Sequence, residues 1–460
     1  MNNIKIGLLS GAFFLLSITI NAQQKFSLEE AIDYGINNHT TIKLAELDEI
    51  NANNDINQVK SIGMPKVRGG VDYSYFFFTP KSPVKDFISP AVYNILKAEG
   101  LPTTTQGPPQ TFELGFVQPQ QLNAELSASM IVFDGSYLYG LKAARLYREL
   151  ASKKIESSEE TVKTNITKAY LSILIAKENY NIVENNIKTI KKSLFEVKAI
   201  YKEGFAESLD VDRLQLSLDN LNTQQENIDG IIQLSKNLLK FQMGYQIDNN
   251  ISLSDNIDQL IIKFNASNTD SNIEIEPENR VEYQLLNKAQ ELNQLDLKRN
   301  KAGYYPSVGA FASMKESLQR RNIFSSDETG FLPTGVVGFN VAIPIYDGGE
   351  KSAKIEKVKV NINKVNVQKT IFTNAMSLQV KNTQIAMQNA FRNLKNRRKT
   401  LAMTESIYDK TRIKFTEGLG SSIETTLAEN DLYKAQSEVI SALYDMLHAK
   451  VELDIALGNL

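Results

Sequence analysis

Between Val162 and Tyr201, alternating steps of 4 and 3 reach Val162, Ile166, Ala169, Ile173, Ala176, Tyr180, Val183, Ile187, Ile190, Leu194, Val197 and Tyr201, and every one is apolar or aromatic. A repeat of about 3.5 residues holds one stripe against a partner helix and imposes a left-handed supercoil, because a straight helix at about 3.6 residues per turn drifts off the contact. The partner follows Gly204, through Val211, Leu214, Leu218, Leu221, Ile228, Ile232 and Leu239. The pattern predicts a long antiparallel helical hairpin with its tip at Gly204 to Glu207.

Composition narrows what such a hairpin can serve. The chain has 460 residues, is 42% hydrophobic and carries a net charge of −2, a balance with no electrostatic footprint for nucleic acid. It has no Cys, and His39 and His448 are its only imidazoles. Thiol redox chemistry, thiolate metal sites and His-based catalysis therefore lack their usual groups, and no catalytic residue, cofactor or metal is expected. At the N-terminus, Lys5 precedes an apolar run from Ile6 to Ile20, followed by Asn21-Ala22-Gln23. This reads as a signal peptide over residues 1–22, cleaved after Ala22. The run is shorter than the roughly 20 residues that span a bilayer. No later stretch is longer, so any membrane insertion would be as a β-barrel or peripheral.

Ser27 and Glu30 have capping-box spacing and open a helix predicted to reach Ser61. After Gly63 and Pro65, period-2 alternation sets Val67, Gly69, Val71, Tyr73, Tyr75 and Phe77 against Arg68, Gly70, Asp72 and Ser74, a strand over about 66–78. Residues 79–121 are rich in Pro and Gly and read as a long loop with a short helix near Ala91 to Glu99. A second strand over about 122–134 alternates Ala124, Leu126, Ala128, Met130 and Val132 with Asn123, Glu125, Ser127 and Ser129. The hairpin of 136–244 then completes a unit spanning 23–244.

The rest of the chain repeats this order. Tyr346-Asp347-Gly348 answers Phe133-Asp134-Gly135, and Glu417-Gly418 answers Glu203-Gly204. Gly418 to Gly458 spans the same 40 positions as Gly204 to Gly244. The second unit, 278–460, carries strands at about 306–314 and 335–346, a polar loop through Arg320, Arg321 and Asp327, and a hairpin over 349–458. Its last helix has the seam Ala428, Leu432, Ala435, Val439, Ala442, Met446, Ala449, Leu453 and Ala456, whereas Thr383, Arg397, Thr404 and Thr411 interrupt the seam of its ascending helix. Residues 245–277 form an Asn- and Asp-rich connector between the units.

Four strands cannot close around a lumen, and open edges are not tolerated in lipid, so a membrane sheet must be completed by other copies. Three copies would give twelve strands, with Tyr73, Tyr75, Phe77 and Phe339 toward lipid and Arg68, Asp72, Glu125 and Asn340 toward the lumen. The ascending helix, roughly 100 Å long at about 1.5 Å per residue, exceeds any bilayer and belongs in the periplasm.

The order helix, two strands, hairpin, stated twice, resembles the TolC-like outer-membrane efflux proteins. The resemblance rests on Ser27-Leu28-Glu29-Glu30-Ala31-Ile32, the Pro-led strands, the aromatic-Asp-Gly strand ends and the two tip sequences from Glu203 and Glu417. It implies an α+β membrane protein with an internal two-fold repeat. A trimeric twelve-stranded outer-membrane β-barrel, four strands per chain, would continue into a long periplasmic α-helical coiled-coil barrel, with 245–277 at its equator. Such a homotrimer is the exit duct of a tripartite efflux or type I secretion system. It sits in outer-membrane lipid and receives substrate from an inner-membrane transporter through a periplasmic adaptor. The resemblance further implies that Gly204, Phe205, Ala206, Gly418, Leu419, Gly420 and Ser421 contact the adaptor, although glycines there also serve the turn alone. It makes Asp210 and Glu424, with the aromatic Tyr201 and Phe415, the candidate periplasmic gate, although the two carboxylates also fit an ordinary wet helix face. Gly420 stands where the best-known gate of the family has an arginine latching neighbouring helices. The competing reading is a periplasmic coiled-coil adaptor or structural interaction protein, which would carry one hairpin and compact β-domains. An enzyme has no catalytic constellation to stand on.

Overall fold

A computed structural model describes residues 24–104, 110–257, 259–261, 276–325 and 330–459. The leader expected over 1–22, and Asp327, lie outside the described residues. The elements are, in order, β1 Gln24–Phe26, α1 Leu28–Asn38, α2 Thr40–Gly63, β2 Lys66–Tyr75, β3 Lys81–Lys85, α3 Ile88–Ala98, β4 Thr111–Gly115, β5 Gln120–Phe133, α4 Gly135–Lys202, α5 Ser208–Met243, β6 Ile251–Leu253, α6 Val281–Ala302, β7 Ser307–Arg320, β8 Leu332–Ala342, α7 Glu350–Thr416 and α8 Ser422–Leu457. They fall into two compact units. One comprises residues 51–148 and 290–363; the other comprises the chain up to Ile50 with 149–289 and 364–460.

The first unit is built on an antiparallel sheet of order β2-β5-β7-β8. Its register sorts the alternation seen in sequence into two faces, since cross-strand partners share a face. Val67 pairs with Ala128, which pairs with Ala312 and then Val337; Tyr73 pairs with Leu122 and then Leu318. On the opposite face Asp72 meets Asn123 and then Ser317, and Glu125 meets Lys315. The Ser317 hydroxyl donates to Asn123 Oδ1 at 2.8 Å. All ten residues of β2 are exposed, and β2 and β8 are each paired along one edge alone.

Several element limits differ from those read in sequence. β7 continues to Arg320, through the start of the expected polar loop, because Lys315 to Arg320 stay in register with Gln120 to Glu125, a segment whose mostly polar residues hide its alternation. β8 ends at Ala342, ahead of Pro344, which has no N–H to give to a ladder. The long loop after β2 contains a two-stranded hairpin, β3 with β4, beside α3. Pro83 sits inside β3, and a proline within a short run argues against a strand when sequence alone is read. The helix predicted to run from Ser27 breaks at His39 (φ −65°, ψ 131°), whose Nδ1 accepts from the Thr41 N–H at 3.1 Å.

The second unit is helical. The α4 seam is buried at Val162, Ile166, Ala169, Ile173, Ala176, Val183, Ile187, Ile190, Leu194 and Val197, and α5 meets it with Leu218, Leu221, Ile228 and Ile232. On α8, the alanine-rich seam is buried at Ala428, Leu432, Ala435, Ala442, Met446, Ala449, Leu453 and Ala456. Three of the four polar residues interrupting the α7 seam have a partner in the fold. Thr383 and Thr404 donate to carbonyls one turn back, and Arg397 pairs with Glu438 of α8 at 2.6 Å. A hydrogen-bond knot holds Asp255 of the connector: Tyr170 donates to Asp255 Oδ2 and approaches the Phe26 carbonyl, both at 2.9 Å, and the Leu28 N–H donates to the same carboxylate. β6 of the connector pairs parallel to β1. Burial, then the bond to Asp255, pushes the Tyr170 phenol well above its usual range.

The descending helices end alike, at Gly244 (φ 66°) and Gly458 (φ 72°) in the left-handed region. A Cβ on Gly244 would lie 2.8 Å from the Asn38 carbonyl oxygen, so strain and a backbone clash coincide there, while Gly230, inside α5, faces open space. Gly244→Ala is expected to destabilise the folded protein by about 2 kcal/mol or more, and Gly230→Ala to stabilise it by about 0.5–1 kcal/mol. Denaturant midpoints of detergent-solubilised variants check both signs.

Candidate functional site

Both hairpins reverse through one backbone device. Gly204 (φ 82°) and Gly418 (φ 72°) are left-handed. The Gly204 N–H donates to the Tyr201 carbonyl at 3.0 Å and the Phe205 N–H to that of Ile200 at 3.1 Å; Gly418 donates to Phe415 at 3.0 Å and Leu419 to Lys414 at 2.8 Å. This double closure of a helix end needs a residue at positive φ, so the turn itself requires both glycines. Each tip then presents a large apolar residue to solvent, Phe205 at 86% and Leu419 at 82% exposure. Ala206 is half-buried beside the first, and Ser421 is exposed after the second. A Cβ on Gly420 would stand 3.1 Å from the Phe415 backbone nitrogen and 3.2 Å from Lys414 Cβ, so any side chain there requires the turn to give by a few tenths of an ångström.

Asp210 and Glu424 both lie in the first turn of their descending helix, where a carboxylate faces the positive end of the helix dipole. The two are used differently. Asp210 accepts from the Glu207 N–H at 3.2 Å, stands 3.9 Å from Arg213 and is half-buried. At the second tip the bond runs the other way: the Glu424 N–H donates to the Ser421 hydroxyl at 3.2 Å, leaving the Glu424 side chain exposed.

A small cavity of about 40 Å³ lies just above the tips. Asp210, Phe415 and Ser422 line it together with Glu196 and Ile200 of α4, Tyr408 and Arg412 of α7, and Glu429 of α8. Of the four expected gate residues, the fold thus brings Asp210 and Phe415 to one cavity. Tyr201 and Glu424 do not line it, and Tyr201 is largely exposed.

Glu429 was not singled out by sequence reasoning. It is 3% exposed, and its Oε1 accepts from the Tyr433 hydroxyl at 2.9 Å. Burial pushes its carboxyl up to about 7, against the opposing hydrogen bonds of Tyr433 and Ser217 and the charge of Arg412. Burial also lifts the Tyr408 phenol to about 12, with the Glu429 carboxylate adding to the rise. The signal available in sequence was a carboxylate beside seam residue Ala428 with a tyrosine one turn on, a pairing that solvated helix faces also show. Among the described residues, no group of three or more His, Cys, Asp or Glu is placed to hold a metal ion.

The chain also shows likeness to known proteins. The family model described as "Outer membrane efflux protein" matches residues 281–459. The outer membrane protein TolC of Salmonella enteritidis is 19% identical over 78% of this chain and 74% of its own length, and the probable efflux pump outer membrane protein SepC of Pseudomonas putida is 20% identical over 76% and 71%. Over residues 281–459, then, this chain is similar to the outer membrane efflux proteins. The proteases secretion protein PrtF of Dickeya chrysanthemi is 22% identical over a stretch that is 36% of this chain and 35% of that protein. The fold agrees with solved channels: a CusC structure superposes with a TM-score of 0.72 at 14% identity, covering 95% of this chain and 93% of that one. The open-state MtrE channel of Neisseria gonorrhoeae gives 0.69 at 13% identity, covering 94% and 88%.

The two tip carboxylates are separable by their bonding. Asp210→Ala breaks a helix cap and is expected to cost about 1 kcal/mol of stability, whereas Glu424→Ala, at an exposed position, stays within about 0.5 kcal/mol. Denaturation midpoints of the two variants in detergent check the difference.

Proposed function

We propose that three copies of this chain form an exit duct through the outer membrane, with a twelve-stranded barrel continuous with a periplasmic helical barrel. The observation that carries this reading is the sheet β2-β5-β7-β8, with its two free edges and its apolar and polar faces. Its strands alternate in direction, so β8 of one copy would lie antiparallel to β2 of the next, and three copies close the sheet without a free edge. In that barrel the Val67, Tyr73 and Phe339 face meets lipid, and the Arg68, Asp72, Glu125 and Asn340 face lines the channel. The helical unit supports the same assembly. Val367, Ile371, Leu378 and Ile385 recur at coiled-coil spacing along α7 and are all more than half exposed in the single chain, a stripe that a neighbouring copy would cover.

The chain carries a twofold internal repeat in this reading: α4 and α5 have 68 and 36 residues, α7 and α8 have 67 and 36, and each pair follows two strands of the sheet. The connector near β6 takes the equatorial position. The tips form the periplasmic entrance, where Phe205 and Leu419, flanked by Gly204, Ala206, Gly418, Gly420 and Ser421, meet a periplasmic adaptor that couples the duct to an inner-membrane transporter. Efflux of small molecules and protein secretion both fit this arrangement, and the protein acts as a conduit with no catalytic step of its own.

Assembly is tested by cysteine pairing, since the chain has no Cys of its own. Val71→Cys on β2 combined with a series on β8 (Gly335→Cys, Val337→Cys, Phe339→Cys) is expected to yield oxidised, covalently closed trimers for at least one partner. A monodisperse mature monomer that stays soluble without detergent would sink the proposal.

The entrance is tested by conductance. Three Glu424 carboxylates converging on one axis bind multivalent cations strongly, so a trivalent cation is expected to block reconstituted channels, less so at high salt. The block should fall at least about tenfold in Glu424→Ala and less in Asp210→Ala, whose carboxylate is tied to the turn. Equal block in wild type and Glu424→Ala would place the carboxylate on an ordinary wet helix face.

A further inference from the structure

We propose that Glu429 is a proton-operated lock above the tips: protonated, it keeps α5, α7 and α8 packed around the small cavity, and ionised, it loosens them and frees the entrance. The proposal rests on reading the tips as the entrance of the duct. Its geometric basis is that one buried carboxyl sits among three helices. Glu429 of α8 accepts from Tyr433 on its own helix at 2.9 Å, and Asp210 and Leu214 of α5 with Tyr408 and Arg412 of α7 line the cavity beside it, while Ser217 of α5 favours its ionised form. Tyr408 packs with Ala428 and Leu432 in a buried cluster of its own, against which Tyr433 leans. The other charged groups nearby are Asp210, 3.9 Å from Arg213 on α5, Asp409 on α7, and Glu196 of α4 on the cavity wall. Arg412 is thus the cation on a cavity wall that also carries three carboxyl groups. A buried carboxylate without a full partner is costly, and the cheapest relief is to keep the proton or to admit water by parting the helices.

The sign follows from linkage. The packed state holds the Glu429 proton up to about pH 7, whereas a hydrated glutamate releases it near pH 4.3, roughly. Proton binding therefore favours the packed state fully below the hydrated value, and this support is lost as pH rises through the packed value. The fold contains a reason for the tips to be held firmly in acid and less firmly near neutrality. Glu424, exposed at the tip, has no such burial and supplies the contrast.

The chain has no Trp, so Phe415→Trp places a single emission reporter on the cavity wall. In the detergent-solubilised trimer its emission is expected to shift to the red as pH is raised from about 5 to about 8, and the shift should vanish when Glu429→Gln, a mimic of the protonated acid, is added. Ser217→Ala removes a bond that favours the carboxylate and should move the midpoint to higher pH, a readout that stands if Glu429→Gln fails to fold. In bilayers, the ratio of open to closed dwell times should rise on the order of 100-fold over the same range and stay flat in Glu429→Gln. An emission that does not respond to pH, or a response that survives Glu429→Gln, overturns the lock. If emission responds while wild-type dwell times stay flat, the lock as a gate is overturned. Trivalent block that depends on Glu424 reports separately on whether the tips are the entrance at all.

Discussion

Among the described residues, no strand pairs with the outer edge of β2 or of β8, and the architecture is most simply understood from that deficit. Water can satisfy such edges; hydrocarbon cannot. The register of the sheet sharpens the demand, because it gathers Val67, Ala128, Ala312 and Val337 on one side and Arg68, Ser127 and Ser313 on the other. A surface apolar on one side and wet on the other suits a wall between lipid and channel. It has no use for the helical layer that usually covers a sheet in a soluble domain.

The helical unit meets a different constraint, that of keeping very long helices in contact. α4 does so with branched aliphatic residues at most seam positions, while α8 uses alanine at alternate positions, which lets backbones approach closely. α7 has the least regular seam. Thr383 and Thr404 turn their hydroxyls back onto the preceding turn, and Arg397 is matched by Glu438, so these polar positions are absorbed with partners. Further polar ties join α4 to α8, Asn186 to Gln436 at 2.7 Å and Lys168 to Glu452 at 2.5 Å. They fix the register of helices whose apolar stripes alone would tolerate a slip.

Much of this was legible in the chain because each signal is local and periodic. Heptad spacing marks a helix seam wherever it occurs, and alternation from Val67 to Tyr75 marks a two-faced strand. Features set by a distant partner were not legible. The last residues of β7 are a strand because β5 lies beside them, and β3 survives Pro83 because β4 does. Nothing adjacent to His39 in sequence announces the break that ends α1. The candidate site divides the same way: the turn glycines and first-turn acids could be read from their offsets, whereas Glu429 became conspicuous only when α5 and α7 were seen to close over it.

The matched spans from Gly204 to Gly244 and from Gly418 to Gly458 restrict how the chain can change in length. Both descending helices begin beside one cavity and end on a glycine in the same left-handed conformation. Adding a turn to one arm alone would carry its tip past the other and pull the cavity apart, and adding any number of residues that is not a whole heptad would rotate the seam off its partner. For the two descending arms, the change in length that keeps tips and seams in place is a whole heptad added to both.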